Sequence, residues 1–236
     1  MVDIHSHVVP DIDDGSTSLE MSIQMLKRAY AQGVTDIFCT SHSYYIDNNT
    51  YKYMDKFKAF KKKVFLEVPN IKLYSGCELL CSVHDMERII AKLKSGDYNT
   101  LNQRNVVLVE CYTDVVPTEA IYIAHSLLQA EYTPIFAHVE RYPYLFDGIT
   151  IDKLINMGCM IQVNTYSFAE AKNSSMGMRA EELLNNKQIH FLGSDAHNIT
   201  WRPPMIKSGL EYIREHTDRD YYETICYKNA QKYLIN

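Results

Sequence analysis

The first sixteen residues, Met1–Ser16, read MVDIHSHVVPDIDDGS. Val2 to Val9 is largely apolar and β-branched, the composition of a strand, and this run carries His5 and His7. Residues two apart on a strand face the same side, so both imidazoles can reach one metal ion. Alone, an HxH pair is about as often two solvated histidines near a terminus as a ligand pair. Asp11, Asp13 and Asp14 follow in a turn ending at Gly15. An acidic glycine turn is usually only a turn; beside HxH it becomes a source of a carboxylate ligand.

The pattern continues outward along the chain. Apolar runs near residues 2–7, 36–41, 71–77, 106–110, 134–138, 159–164 and 189–194 alternate with helical patterns. Those patterns lie near 18–32, 51–67, 84–94, 118–131, 150–157, 177–187 and 205–215, with a last one near 219–234. This alternation predicts an α/β fold with a parallel sheet or a barrel. The stretches Asp47–Thr50 and Asn173–Gly177 read as loops. In order, the runs end in His5 and His7, His42, Glu78, Glu110, His138, Asn164, and Asp195 with His197. Parallel barrel strands aim their C-terminal ends at one rim, where active sites form. Residues far apart in sequence would then meet at one mouth.

Ser194-Asp195-Ala196-His197 supplies a second i, i+2 pair. A mixed Asp and His set suits Mn, Fe or Zn, whereas an all-oxygen set suits Mg or Ca. For His42, Glu78, Glu110 or His138 taken singly, a hydrogen-bonded histidine or an exposed acid is the commoner explanation. Their joint placement at nearly every strand end favours ligation. Arg141 and Arg202 are candidate oxyanion binders, because guanidinium groups hold tetrahedral anions bidentately; either alone would more often be a surface ion pair. His84, His125, His190 and His216 are assigned to structure. The 18 tyrosines are scattered, mostly on helical patterns, and are expected to pack an outer ring. Trp201 either lines the mouth beside Arg202 or packs there.

Bulk properties narrow the function. The 236 residues fit one domain spanning 1–236, and a net charge of −5 offers no basic field for nucleic acid. Six cysteines include no CxxC pair. Neither a basic-then-apolar leader nor a run of about 18 apolar residues is present, so a cytoplasmic protein without membrane insertion is expected. A cysteine-nucleophile phosphatase needs Arg six places after its Cys. The six positions here hold Tyr45, Val83, Glu87, Pro117, Thr165 and Lys232. GxSxG and GxxxxGK[ST] are also absent. These absences weigh against a cysteine nucleophile, a serine nucleophile elbow and a phosphate-binding P-loop.

MVDIHSHVVPDIDDGS, CTSH, the Glu of SGCE, the His and Arg of AHVERY, and GSDAHN followed by RPP resemble the PHP (polymerase and histidinol phosphatase) superfamily. Within it, they look most like the bacterial protein-tyrosine phosphatases of capsule and exopolysaccharide synthesis. The motifs run from residue 2 to residue 204. The resemblance implies a distorted (β/α)7, TIM-like barrel holding three divalent ions, usually Mn, with Fe or Zn as alternatives. It implies His5, His7, Glu78 and Asp195 around the first ion. Glu78 would bridge to a second, completed by Glu110 and His138, and Asp14, His42 and His197 would hold the third. Three divalent ions outweigh the four carboxylates, and Arg141 and Arg202 add to the field that attracts a phosphate dianion. The implied partner is a phosphotyrosine protein, such as the tyrosine-rich tail of a cognate bacterial tyrosine kinase. The segment from Ser43 to Thr50 matches the family poorly.

Three other functions compete. A small-molecule phosphoesterase such as a histidinol-phosphate phosphatase is disfavoured by the short length, Glu110 and the RPP segment. A non-enzymatic metal-binding domain would usually lack some ligands. An amidohydrolase would be expected to use a carboxylated lysine, and none of the runs ends in Lys.

Overall fold

A computed structural model describes residues 1–47, 53–169 and 173–236. Among the described residues there are eight strands: β1 Val2–Ser6, β2 Asp36–Cys39, β3 Lys72–Ser75, β4 Glu78–Cys81, β5 Val106–Cys111, β6 Thr133–Phe136, β7 Met160–Asn164 and β8 Phe191–Gly193. The helices are α1 Leu19–Ala31, α2 Ser43–Asp47, α3 Tyr53–Glu67, α4 Met86–Ser95, α5 Pro117–Gln129, α6 Thr150–Asn156, α7 Thr165–Ala169, α8 Ser175–Asn185, α9 Lys207–His216 and α10 Arg219–Glu223. Every strand pairing is parallel, in two sheets ordered β1-β2-β3 and β4-β5-β6-β7-β8. The α/β parallel-sheet architecture matches the expected alternation.

The sheets approach each other along two edges. Next to β8, the Asp195 N–H donates to the His5 carbonyl at 2.8 Å and the His7 N–H donates to the Ala196 carbonyl at 2.9 Å. At the other edge, His42 forms an isolated parallel bridge with Glu78.

The third run departs from expectation. Residues 71–77 do not make one strand ending at Glu78: β3 stops at Ser75, and Glu78 opens β4 in the other sheet. Gly76 lies at the step, where a Cβ would sit 2.7 Å from Leu101 Cδ2 and 3.2 Å from Thr40 Cγ2. Glycine gives room for this close crossing without displacing the Leu101 or Thr40 side chains. Glu110 lies within β5, and His42 and His138 lie just beyond β2 and β6.

Other boundaries also move. Asn173–Gly177 is not all loop, because α8 starts at Ser175, with the Ser174 side chain accepting from the Gly177 N–H at 2.9 Å. Asp47 closes α2, and the rest of the expected Asp47–Thr50 loop lies outside the described residues, as do the first two residues of the 51–67 helical pattern. The last helical pattern becomes α10 followed by wider π-type turns over Thr224–Lys228 and Gln231–Ile235.

Strand register shows what shares a face with the candidate site. Glu78 pairs with Leu108, Leu108 with Ile135, Ile135 with Met160, and Gln162, two residues on, with Phe191. One face therefore carries a floor of apolar side chains with polar residues further along the strands. Val2, Ile4 and Phe38 join that apolar cluster. The β1–β2 register slips between Asp3 and Ser6. The slip lets β1 give Ile4 to the floor and, one residue later, His5 to the space above it, as strand irregularities near active sites often do. The opposite faces pack on helices through a larger cluster that includes Ile37, Phe136, Ile161 and Leu192.

Helix α9 packs across α7 through Gly209, where a Cβ would lie 2.1 Å from the Thr165 carbonyl oxygen. Gly209→Ala is expected to lower stability by about 1–3 kcal/mol through overpacking. The adjacent exposed Ser208→Ala should change it by less than about 0.5 kcal/mol. Thermal unfolding followed by circular dichroism checks both; equal melting of the two variants would refute this contact.

Candidate metal centre

All nine predicted ligands meet in one space. His5 Nε2 lies 3.2 Å from Glu78 Oε2 and 3.6 Å from Asp195 Oδ1. His7 Nε2 stands at the same two distances from the same two atoms. His42 Nδ1 is 3.0 Å from Glu78 Oε2 and 3.3 Å from Glu110 Oε2. His138 Nε2 is 2.9 Å from Glu78 Oε1 and 3.8 Å from Glu110 Oε1. Asp14 Oδ1 lies 3.5 Å from His42 Nε2 and 3.6 Å from His197 Nε2.

Among the described residues these form four overlapping groups compact enough to surround an ion: His7, Asp14, His42 and His197; His5, Glu78 and His138; His5, His7 and Asp195; and His42, Glu78 and Glu110. The overlap differs from the partition implied by resemblance. His7 faces two groups, and Glu78 is shared by His5, His138, His42 and Glu110.

The donor set fits divalent cations. Among the described residues, Glu78 Oε2 and His42 Nδ1 are buried without a hydrogen-bond partner, although they lie close together. His5 Nε2 and His7 Nε2 approach to 3.2 Å, which needs one ring to donate to the other or a cation between them. Buried polar atoms are otherwise almost always paired.

Local backbone aims these side chains. His138 and Asp195 both adopt left-handed conformations, at φ 33° and 52°; such non-glycine conformations cost of order 1–3 kcal/mol and cluster at functional sites. Gly15 packs against the His7 backbone and Gly193 against the His5 side chain, where Cβ atoms would lie 2.4 Å from His7 O and 2.7 Å from His5 Cβ.

Residues outside the predicted set hold the rings. Asp13 Oδ2 accepts from His7 Nδ1 at 2.8 Å and from the His42 N–H at 3.0 Å. Thus Asp13 orients the His7 ring and the His42 backbone, Asp14 faces the cluster, and Asp11 pairs with Lys56 at the surface. Gln162 Oε1 lies 3.1 Å from His5 Nδ1 and accepts from the His138 N–H at 2.9 Å. Tyr142, fully buried, places its hydroxyl 3.3 Å from His138 Nδ1. It is a site residue and not part of an outer ring of tyrosines. Such partners fix the tautomers of ligating histidines.

Electrostatics follow from burial and neighbours. Burial pushes the Glu78 carboxyl up, but His5 and His42 outweigh it and hold it well below the usual range. Burial also raises Asp195, and His5, Arg141 and Arg202 reverse that. Burial lowers His7, yet Asp13 carries it to about 9. For His42, burial is overcome by Glu78 and Glu110, to about 11. His197 is lowered by burial and by His7, whose ring stacks on it with centroids 3.8 Å apart. A neutral His197 agrees with its Nε2 accepting from Arg202 Nη1 at 3.0 Å.

The two predicted arginines border the cluster. Asp195 turns Oδ1 to the imidazoles and Oδ2 to Arg141 Nη2 at 2.9 Å and Arg202 Nη2 at 2.7 Å. Beside them opens a pocket of ≈ 260 Å³ lined by both arginines and by Trp201. The six cysteines are buried and unpaired. Burial pushes the Cys159 and Cys226 thiols up to about 12 and the other four further still.

Comparisons with known proteins agree in kind. The profile of the family described as "Capsular polysaccharide synthesis, CpsB/CapC" matches residues 1–235. The chain is 29% identical over 244 residues to tyrosine-protein phosphatase CpsB of Streptococcus agalactiae, covering 100% of this chain and 99% of that protein. It superposes with a TM-score of 0.84 and 25% identity on a chain from the crystal structures of YwqE from Bacillus subtilis and CpsB from Streptococcus pneumoniae, described as unique metal-dependent tyrosine phosphatases. That match covers 100% of this chain and 94% of the other. An amidohydrolase from Mycoplasma synoviae shares the fold alone, at a TM-score of 0.64, 14% identity, and 99% and 87% coverage.

If the cluster binds cations, saturating Mn2+ should raise the melting temperature of the metal-free protein. At a hundred times the dissociation constant the gain is about 2.7 kcal/mol per site. Glu78→Gln keeps the shape and removes the charge, so it should remove most of that Mn2+-dependent rise in differential scanning fluorimetry. A full rise in the variant would mean that Glu78 is not a ligand.

Proposed function

Because the chain belongs to the CpsB/CapC family of capsular polysaccharide synthesis, we propose that it is a metal-dependent protein-tyrosine phosphatase. The observation that carries this reading is Asp195, which faces the imidazole cluster with one oxygen and draws Arg141 and Arg202 to its edge with the other. Anion-binding groups and a cation-binding cluster then adjoin one open pocket.

His5, His7, Asp14, His42, Glu78, Glu110, His138, Asp195 and His197 would hold three divalent ions, Mn2+ before Fe or Zn. Such ions supply concentrated positive charge and lower the pKa of water toward neutrality. The chain's own residues do the rest. Arg141 and Arg202 bind the phosphoryl oxygens and stabilise charge as it shifts in the transition state. The Tyr166 hydroxyl accepts from Arg141 Nη2 at 2.9 Å and keeps that guanidinium at the pocket. Asp13 and Gln162 hold His7, His5 and the His138 backbone in place.

The two sheets, meeting along the β1/β8 and His42/Glu78 edges, support a distorted (β/α)7 barrel in which β3 and β4 count as one interrupted strand. We assign residues 1–236 to a single domain. The substrate would be the tyrosine-rich tail of a cognate bacterial tyrosine kinase. Six free thiols suit a reducing cytoplasm, and among the described residues no helix is long and apolar enough to cross a membrane.

Phenolate, with a parent pKa near 10, leaves without full protonation, whereas an alkoxide needs a proton. Every acid and histidine at the cluster is engaged as a ligand or an orienting group, so aryl phosphates should react much faster than alkyl phosphates. Matched peptides carrying phosphotyrosine or phosphoserine test this through kcat/KM; equal values would move the chain to the small-molecule phosphoesterases.

Catalysis should also be indifferent to thiols. Activity on p-nitrophenyl phosphate should survive iodoacetamide and fall with a strong chelator. Elemental analysis after reconstitution should return three divalent ions per chain. Inactivation by iodoacetamide with resistance to the chelator would overturn the mechanism.

A further inference from the structure

Trp201 is the chain's single tryptophan, and it is 69% exposed. Leu66, Ile149 and Phe65 are at least as exposed, so it is the place of the indole beside the two arginines, and not exposure alone, that marks it. Its loop is tied down. The Asn198 side-chain oxygen accepts from the backbone N–H groups of Thr200, Trp201 and Arg202 at 3.0, 2.9 and 3.1 Å. The Arg202 carbonyl in turn accepts from the His197 N–H at 2.9 Å. The indole is thus presented from a fixed turn that starts at a candidate ligand.

The pocket beside it has two chemistries. Arg141 and Arg202 supply its positive charge, and Trp201, Pro203, Met205 and Tyr166 supply apolar wall. Arg202 Cζ lies 5.8 Å from the indole ring centroid, within the range of a cation–π contact. The volume of ≈ 260 Å³ is just below the range of drug-sized ligand sites, about 300 to 1,000 Å³. It suits one aromatic ring with an anionic end and not a folded peptide segment.

Resting on the phosphatase reading above, we propose that this pocket is an aryl subsite. Trp201, Pro203 and Met205 hold the ring of the phosphotyrosyl side chain, while its phosphate reaches Arg141 and Arg202. Selection for aryl phosphates then has a binding component in addition to the leaving-group chemistry. Because only the ring and phosphate are enclosed, the residues flanking the phosphotyrosine lie outside the pocket and contribute little to recognition.

A single tryptophan makes the test direct. Intrinsic fluorescence of the metal-loaded protein is followed during titration with phenylphosphonate, methylphosphonate and inorganic phosphate. Their inhibition constants are measured in parallel against p-nitrophenyl phosphate. Phenylphosphonate is expected to change the emission far more than the other two at equal occupancy. Trp201→Ala should raise the inhibition constant of phenylphosphonate by roughly threefold to tenfold, the strength of an aromatic contact, and leave that of inorganic phosphate within about twofold. Trp201→Phe should recover most of the loss. If Trp201→Ala weakens both ligands equally, or neither, while the wild type remains active, the aryl subsite is wrong and the phosphatase reading stands. If the wild type neither hydrolyses p-nitrophenyl phosphate nor binds phosphate, the phosphatase reading itself fails.

Discussion

The Glu78 carboxylate is fully buried, with one oxygen against His138 and the other within reach of His5, His7 and His42. Removing a carboxylate from water costs several kcal/mol even after relaxation, and a buried charge survives only when opposite charge surrounds it. Without metal, protonated His5, His7 and His42 supply that charge; bound cations would supply it instead, displacing those protons from the rings. The site has to be assembled from six different strands and the turns beside them, because no short segment can place this many donor atoms around one carboxylate. The cluster is therefore a property of the whole sheet arrangement, and the arrangement bears its cost.

That cost is visible in the backbone. His138 and Asp195 are held in left-handed conformations, and Gly15 and Gly193 occupy positions where a Cβ would collide with His7 or His5. The apolar floor of Leu108, Ile135, Met160 and Phe191 lies on the same face as Glu78 and Gln162. Burial of that floor stabilises the sheets without competing for the polar mouth. Apolar burial at one end of the strands offsets strain and desolvation at the other.

This division explains what could be read from the sequence. His5 and His7, and Asp195 and His197, were legible because i, i+2 spacing on a strand is a local rule. His42, Glu110 and His138 were legible from their placement near the ends of apolar runs. Glu78 was found for a partly mistaken reason: it opens β4 and does not end β3, since the crossing at Gly76 depends on Leu101 and Thr40, which lie far away in sequence. The slip in β1 was equally hidden, because register is set by the partner strand. Asp13 and Asp14 could not be given separate roles, since turn composition does not say which carboxylate faces inward. Gln162 left one faint signal, its i, i+2 spacing from Asn164 on a strand. Tyr142 left none, because tyrosine at a strand–helix junction is ordinary core.

Asp195 joins the imidazole cluster to the two arginines proposed to bind phosphate. Its Oδ1 faces three imidazoles while Oδ2 accepts from Arg141, Arg202 and the Asn164 amide. A phosphate dianion entering the pocket competes with a single carboxylate oxygen for two guanidiniums. It brings more charge and a tetrahedral set of oxygens that a planar fork can grip bidentately. The competition favours the dianion most when Asp195 has a second source of positive charge on its Oδ1 side, for the carboxylate then loses least by releasing the arginines. Arg202 adds a further link, since Nη1 also donates to His197 Nε2. The guanidiniums are thus kept in position before substrate arrives, and their release is tied to the charge state of the cluster they border.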